Sequence, residues 1–102
     1  MFDEILNSIP TEFSLGQNYP NPFNPVTKMD ISLPLTGDVT LVIYNILGQK
    51  VRTIFSGELN YGYHTMQWNG LDDQGLRVSS GVYFSEFRSR DHRKTKKMLL
   101  LK

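Results

Sequence analysis

The chain has 102 residues, a formal net charge of +1, 39% hydrophobic and 21% charged residues, and no cysteine. That is one domain with a modest core and an ordinary globular composition. Disulfides and thiolate metal sites are excluded, and the charge balance gives no overall pull toward nucleic acid.

No apolar run approaches the length of a membrane-spanning helix, and Met1-Phe2-Asp3-Glu4 is acidic where a signal peptide would be basic. Residues 1–12 read as a lead-in closed by Pro10-Thr11, and residues 13–102 as the folded domain. Phe13-Ser14-Leu15 is a short candidate strand. Next comes Asn18-Tyr19-Pro20-Asn21-Pro22-Phe23-Asn24-Pro25. Each proline fixes φ and removes a backbone donor. Tyr19, Asn21 and Asn24, each before a proline, are pushed out of the α region. The segment is therefore stiff and extended, with Tyr19 and Phe23 free to dock. We expect it to close one edge of a sandwich, although the competing reading is a proline-rich linker.

Period-two alternation follows. Met29, Ile31 and Leu33 alternate with Lys28, Asp30 and Ser32, a half-buried strand ended by Pro34. Val39, Leu41 and Ile43 alternate with Thr40 and Val42. Asn45-Ile46-Leu47-Gly48 bends the chain into a hairpin whose second strand is Val51–Phe55. Gly57 and Gly62 bracket a loop. His64, Met66 and Trp68 point to one side of the next strand, and 69–80 is a polar loop punctuated by glycine. Val82–Phe87 is a strong strand, Asp91-His92 the last turn, and Thr95–Leu101 the last strand. Turn signals recur about every ten residues, which predicts an all-β sandwich or barrel.

Catalytic constellations are missing. His64 and His92 are the only histidines, and nothing places a nucleophile on a strained turn or pairs two carboxylates on rigid supports. We expect no enzyme activity and no cofactor. Asn69, Asp72 and Asp73 invite a calcium reading, but no distal acid closes the loop. We prefer consecutive turns in which these side chains accept backbone N–H groups, with Gly70 and Gly75 supplying positive φ. Trp68 reads as core; the competing reading makes it a sugar-binding platform with Tyr61 and Tyr63. Arg88, Arg90, Arg93, Lys94, Lys96, Lys97 and Lys102 are seven of the eleven basic residues. They lack the interleaved aromatics that would stack bases, so nucleic acid is not an expected partner. In an edge strand, lysines also discourage stray pairing.

The wording of several blocks carries a resemblance. Gln17–Thr27 resembles the opening signature of the C-terminal sorting domains of the type IX secretion system. These are Ig-like domains related in sequence pattern to the flagellar hook-capping Ig-like module. Val42–Arg52, His64–Gly81, Val82-Tyr83-Phe84 and Thr95–Lys102 resemble the later blocks of the same family, in the same order. Ser85 and Asn69 depart from it, standing where the family often has an aromatic residue and an aspartate.

The resemblance implies an all-β, Ig-like β-sandwich of about seven antiparallel strands, carried at the end of a cargo protein covalently attached on its N-terminal side. It implies passage through the periplasm and across the outer membrane to the cell surface or beyond. The implied partners are the translocon, its outer-membrane shuttle and a cell-surface sortase, without direct membrane insertion. We expect the recognised signal at Lys96, Lys97, Met98, Leu99, Leu100, Leu101 and Lys102, with two apolar residues on each face of the last strand; strand addition is one way to read a terminal strand. Further docking surface is expected at Asn45, Gly48 and Gln49 and at Asp72, Asp73, Gly75 and Gly81. The alternatives are a structural assembly module like the hook-capping domain, and a carbohydrate-binding sandwich.

Overall fold

The computed structural model describes residues 9–102; residues 1–8 of the expected lead-in lie outside them. Seven strands follow one another: β1 (Ser14–Leu15), β2 (Thr27–Leu33), β3 (Gly37–Asn45), β4 (Lys50–Leu59), β5 (Gly62–Trp68), β6 (Gly81–Ser89) and β7 (His92–Leu100). They form a three-stranded sheet, β1-β2-β5, and a four-stranded sheet, β4-β3-β6-β7. Every strand pair is antiparallel. This is the expected Ig-like β-sandwich.

The alternation drives the layering. Met29, Ile31 and Leu33 of β2 face Val39, Leu41 and Ile43 of β3, Tyr83 and Phe87 of β6, and Met98 and Leu100 of β7, in one buried cluster. Burying these side chains supplies most of the stability of a fold this small, at roughly 25 cal/mol per Å² of apolar surface. Trp68, the last residue of β5, is 1% exposed. Its ring is 5.5 Å from Phe23 and 5.3 Å, edge-on, from Tyr83. Its indole N–H donates to the Leu71 carbonyl at 2.9 Å.

Three boundaries differ from expectation. Gly57 does not begin a loop: it pairs with Val39, and β4 runs on to Leu59, opposite Gly37. Phe55 and Leu59 pack against the core, which holds the strand together across a residue that reads locally as a turn. His92 belongs to β7, opposite Ser89, so the last turn is Arg90-Asp91. Arg90 takes φ 56° there, anchored by its guanidinium donating to the Thr36 carbonyl at 2.9 Å. Contacts with the sandwich also begin ahead of Phe13: Pro10 is buried, and the Glu12 carbonyl accepts from the Ser32 hydroxyl at 2.8 Å.

The proline segment changes sheets. Tyr19 exchanges two backbone hydrogen bonds with Lys28, each 2.9 Å, continuing the β2 edge that β1 occupies. The chain then crosses the open side of the sandwich, and Phe23 pairs in parallel with Leu100 of β7. The corner is fixed from inside. The buried Asn18 amide donates to the Pro20 carbonyl and the Thr27 hydroxyl, and that hydroxyl donates to Pro20 as well. Outside, the Tyr19 hydroxyl donates to the Asp30 carboxylate at 3.0 Å. That bond, with some desolvation, raises the Tyr19 phenol above its ordinary pKa.

Candidate docking surface

The expected terminal signal divides by burial. Met98 and Leu100 point into the core, each 1% exposed. Leu99 is half-buried on the outer face, while Lys96, Lys97, Leu101 and Lys102 are exposed. The folded domain therefore offers four or five of these seven side chains to a partner. The outer backbone edge of their strand is closed. Phe23 N–H donates to the Leu99 carbonyl and Leu101 N–H to the Phe23 carbonyl, both at 3.0 Å. Leu99 N–H donates to the Asn21 side chain at 3.0 Å, and the Gln17 amide to the Lys97 carbonyl at 2.8 Å. Strand addition along Lys97–Leu101 would have to displace the proline segment.

The other expected docking residues gather at the same end of the four-stranded sheet, because Asn45 pairs with Tyr83 and Gly81 with Leu100. An open groove of about 710 Å³ lies there, between the β3–β4 turn and the loop preceding β6. Asn45, Gln49, Asp72 and Gly81 line it; Gly48, Asp73 and Gly75 do not. Lys102 N–H donates to the Ser80 hydroxyl at 3.0 Å, which ties the last strand to this end.

Most of these residues build the turns that shape the surface. The Asn45 carboxamide oxygen accepts from the Leu47 and Gln49 N–H groups, an Asx turn. Gly48 takes φ 77°, a left-handed conformation that a β-carbon would oppose. Asp72 accepts from Gln74 and Leu76 N–H, both at 2.9 Å. Asp73 reaches the free edge of β4, accepting from Thr53 N–H at 3.0 Å while its own N–H donates to the Val51 carbonyl at 2.9 Å. Both carboxylates thus act as turn and edge caps, and among the described residues no group of three metal-ligating side chains converges. The side chains left for a partner are Ile46 and Leu47 at the tip of the expected docking turn, 70% and 77% exposed, and Leu76 in the loop that follows β5. The available signal was an apolar pair inside an Asx turn, where nothing local requires it.

Tyr83 closes the inner wall. Its hydroxyl donates to the Ser79 carbonyl at 2.6 Å, the tyrosine corner found at the start of the corresponding strand in Ig-like sandwiches. Tyr83→Phe is expected to cost about 1 kcal/mol in urea unfolding, since the phenol's part-buried hydrogen bond to the Ser79 carbonyl is lost while the ring stays. Burial of Trp68 removes the centre of the sugar-binding platform; Tyr61 and Tyr63 alone are exposed.

These features define an Ig-like β-sandwich whose distinctive surface is built by turns and strand faces. The FlgD Ig-like domain family matches residues 23–88, and the chain belongs to that family. Among solved structures it is similar to dimeric latent PorU from Porphyromonas gingivalis, with 18% identity and a TM-score of 0.66 over 90% of this chain and 10% of that one. It is similar to FlgD from P. aeruginosa, with 25% identity and a TM-score of 0.58 over 72% of this chain and 57% of that one. It is also similar to PorZ from Porphyromonas gingivalis, described as an essential bacterial surface component of the type IX secretion system. That match has 22% identity and a TM-score of 0.53 over 88% of this chain and 11% of PorZ. The chain thus spans about a tenth of PorU and PorZ and little more than half of FlgD. No curated protein matches it.

Proposed function

We propose that this is a non-catalytic sorting domain that directs an attached cargo through the type IX secretion route to the cell surface or medium. One observation carries the reading. The two most distinctive blocks of the resemblance, Gln17–Thr27 and Thr95–Lys102, are hydrogen-bonded to each other along the edge of β7. A partner that must accept diverse cargos needs such a rigid composite feature in place of bond chemistry. The likeness to a PorZ region is consistent with this, as a likeness of fold.

The test fuses the whole 102-residue chain behind a reporter with an N-terminal signal peptide, in a host that has this secretion route. The fusion is expected at the surface or in the medium. A variant with Lys96, Lys97 and Leu101 changed to serine is expected to remain in the periplasm. Retention of both forms while a native cargo is exported from the same cells sinks the proposal; equal export of both forms overturns the placement of the signal in the last strand. The match to the FlgD Ig-like family favours a second reading, a structural assembly module. It predicts that the chain replaces the Ig-like part of FlgD in hook assembly and exports nothing.

A further inference from the structure

The outer face of the four-stranded sheet carries an ordered row of side chains. Lys97 pairs with Phe84, Phe84 with Tyr44, and Tyr44 with Lys50. Cross-strand partners project to the same face, so the row reads lysine, aromatic, aromatic, lysine across β7, β6, β3 and β4. Tyr83, Ser85 and Phe87 alternate with Phe84 and point into the core, which places Phe84 and its row outside. Val82 and Leu99, themselves paired, form the adjoining rung, and both are half-buried. A second concavity of about 250 Å³ continues this apolar strip to Asn21 and Pro22 of the proline segment. The nearest acid on this face, Glu86, is engaged by Arg88 at 3.2 Å and Arg93 at 3.9 Å. Among the described residues neither Lys50 nor Lys97 has an ion-pair partner.

We infer that this face is the surface by which the domain is read, and that its occupant is a protein segment with an apolar centre flanked by carboxylates. The inference rests on the sorting reading for its biological partner, while the surface itself follows from geometry. Three inter-strand spacings separate the lysine backbones, about 14 Å. Carboxylates four positions apart on one side of an extended strand stand about 13 Å apart. A strand laid across the sheet can therefore place an aromatic or aliphatic side chain over Phe84 and Tyr44 and an acid on each lysine. Charge decides against a second copy of this chain, because a symmetric contact brings lysine against lysine. The closed edge of β7 decides against backbone pairing along Lys97–Leu101. The part of the terminal segment that is read is then Lys97 and Leu99, together with side chains from three other strands.

The experiment titrates the isotope-labelled full chain, followed by NMR, with a five-residue peptide of two terminal glutamates, a central phenylalanine and threonines between. Saturable shifts centred on Tyr44, Lys50, Phe84 and Lys97 are expected. The charge-reversed pair Lys50→Glu and Lys97→Glu, both exposed positions, is expected to weaken binding about tenfold or more. The opposite-sheet control Lys28→Glu is expected to leave it unchanged. No saturable shift, or equal shifts with serine in place of phenylalanine, overturns the inference. So does a neutral oligosaccharide that moves the Tyr44 and Phe84 signals while the peptide does not, which would mark a ring-stacking sugar site. The reporter fusion separates the two claims. Peptide binding without export of the wild-type fusion leaves the face standing and removes the sorting reading. Normal export of the charge-reversed fusion overturns the face as the surface that is read.

Discussion

Removing Lys96–Lys102 is expected to abolish cooperative unfolding of the domain, whereas changing the exposed Lys96, Lys97, Leu101 and Lys102 together to serine is expected to shift its stability by less than about 1 kcal/mol. The contrast follows from which side chains of this segment are buried. The deletion takes Met98 and Leu100 out of the core. Losing a buried Leu or Met side chain costs about 2–5 kcal/mol, so the pair accounts for roughly 4–10 kcal/mol of the 5–15 that a domain commands. It also strips β6 of its partner from Gly81 to Ser85 and leaves Phe23 without either backbone bond to β7. An exposed, unpaired β6 edge invites aggregation. Urea unfolding followed by far-UV circular dichroism separates the variants, and a truncated chain that unfolds cooperatively at the original midpoint would refute this account. The consequence for testing the proposed sorting function is practical. A truncated cargo retained in the periplasm reports misfolding as readily as a lost signal, so the signal has to be tested by substitutions on the outer face.

Much of this was legible in the residues because strands with one buried face write their period into the chain. Met29, Ile31 and Leu33, or Val39, Leu41 and Ile43, needed no tertiary information to be placed. Trp68 was placed inside by the same parity. Gly57 misled because a glycine is a turn signal locally, and what keeps it in β4 is the pairing with Val39 on a strand nearly twenty residues away. The proline segment was legible as stiff, but its destination was not. Phe23 reaches Leu100 across about three quarters of the chain, and no local pattern records which edge a rigid segment will close. The candidate site shows the same division. The turns at Asn45–Gly48 and Asp72–Gly75 were readable from Asx and glycine chemistry. That the two converge, and that Ile46, Leu47 and Leu76 are what they present, is a property of strand register. The Lys97-Phe84-Tyr44-Lys50 row is register alone, since its members come from four separate strands.

Trp68→Ala is expected to lower the unfolding free energy by about 3–5 kcal/mol, and Phe23→Ala by a similar amount, because the two rings share one contact at the seam between the sheets. At about 4–8 °C per kcal/mol for a domain of this size, either change alone is expected to lower Tm by roughly 12–40 °C. The double variant is expected to lose less than the sum of the single losses, by about 0.5–1.5 kcal/mol, the range measured for aromatic pairs. Trp68→Phe separates packing from polar anchoring. It keeps most of the ring volume but removes the N–H that holds the Leu71 carbonyl, and is expected to cost about 1–2 kcal/mol. Because that carbonyl begins the loop whose Asp73 caps β4, backbone amide exchange at Thr53 should quicken in Trp68→Phe more than at Leu41 in the sheet centre. Tyr63→Ala, an exposed aromatic near the other end of β5, is the control, expected within about 0.5 kcal/mol of wild type. Equal losses at Tyr63 and Trp68 would mean that the tryptophan is not the keystone of this core, and the link from Phe23 through Trp68 to Tyr83 would no longer explain why the proline segment must sit where it does.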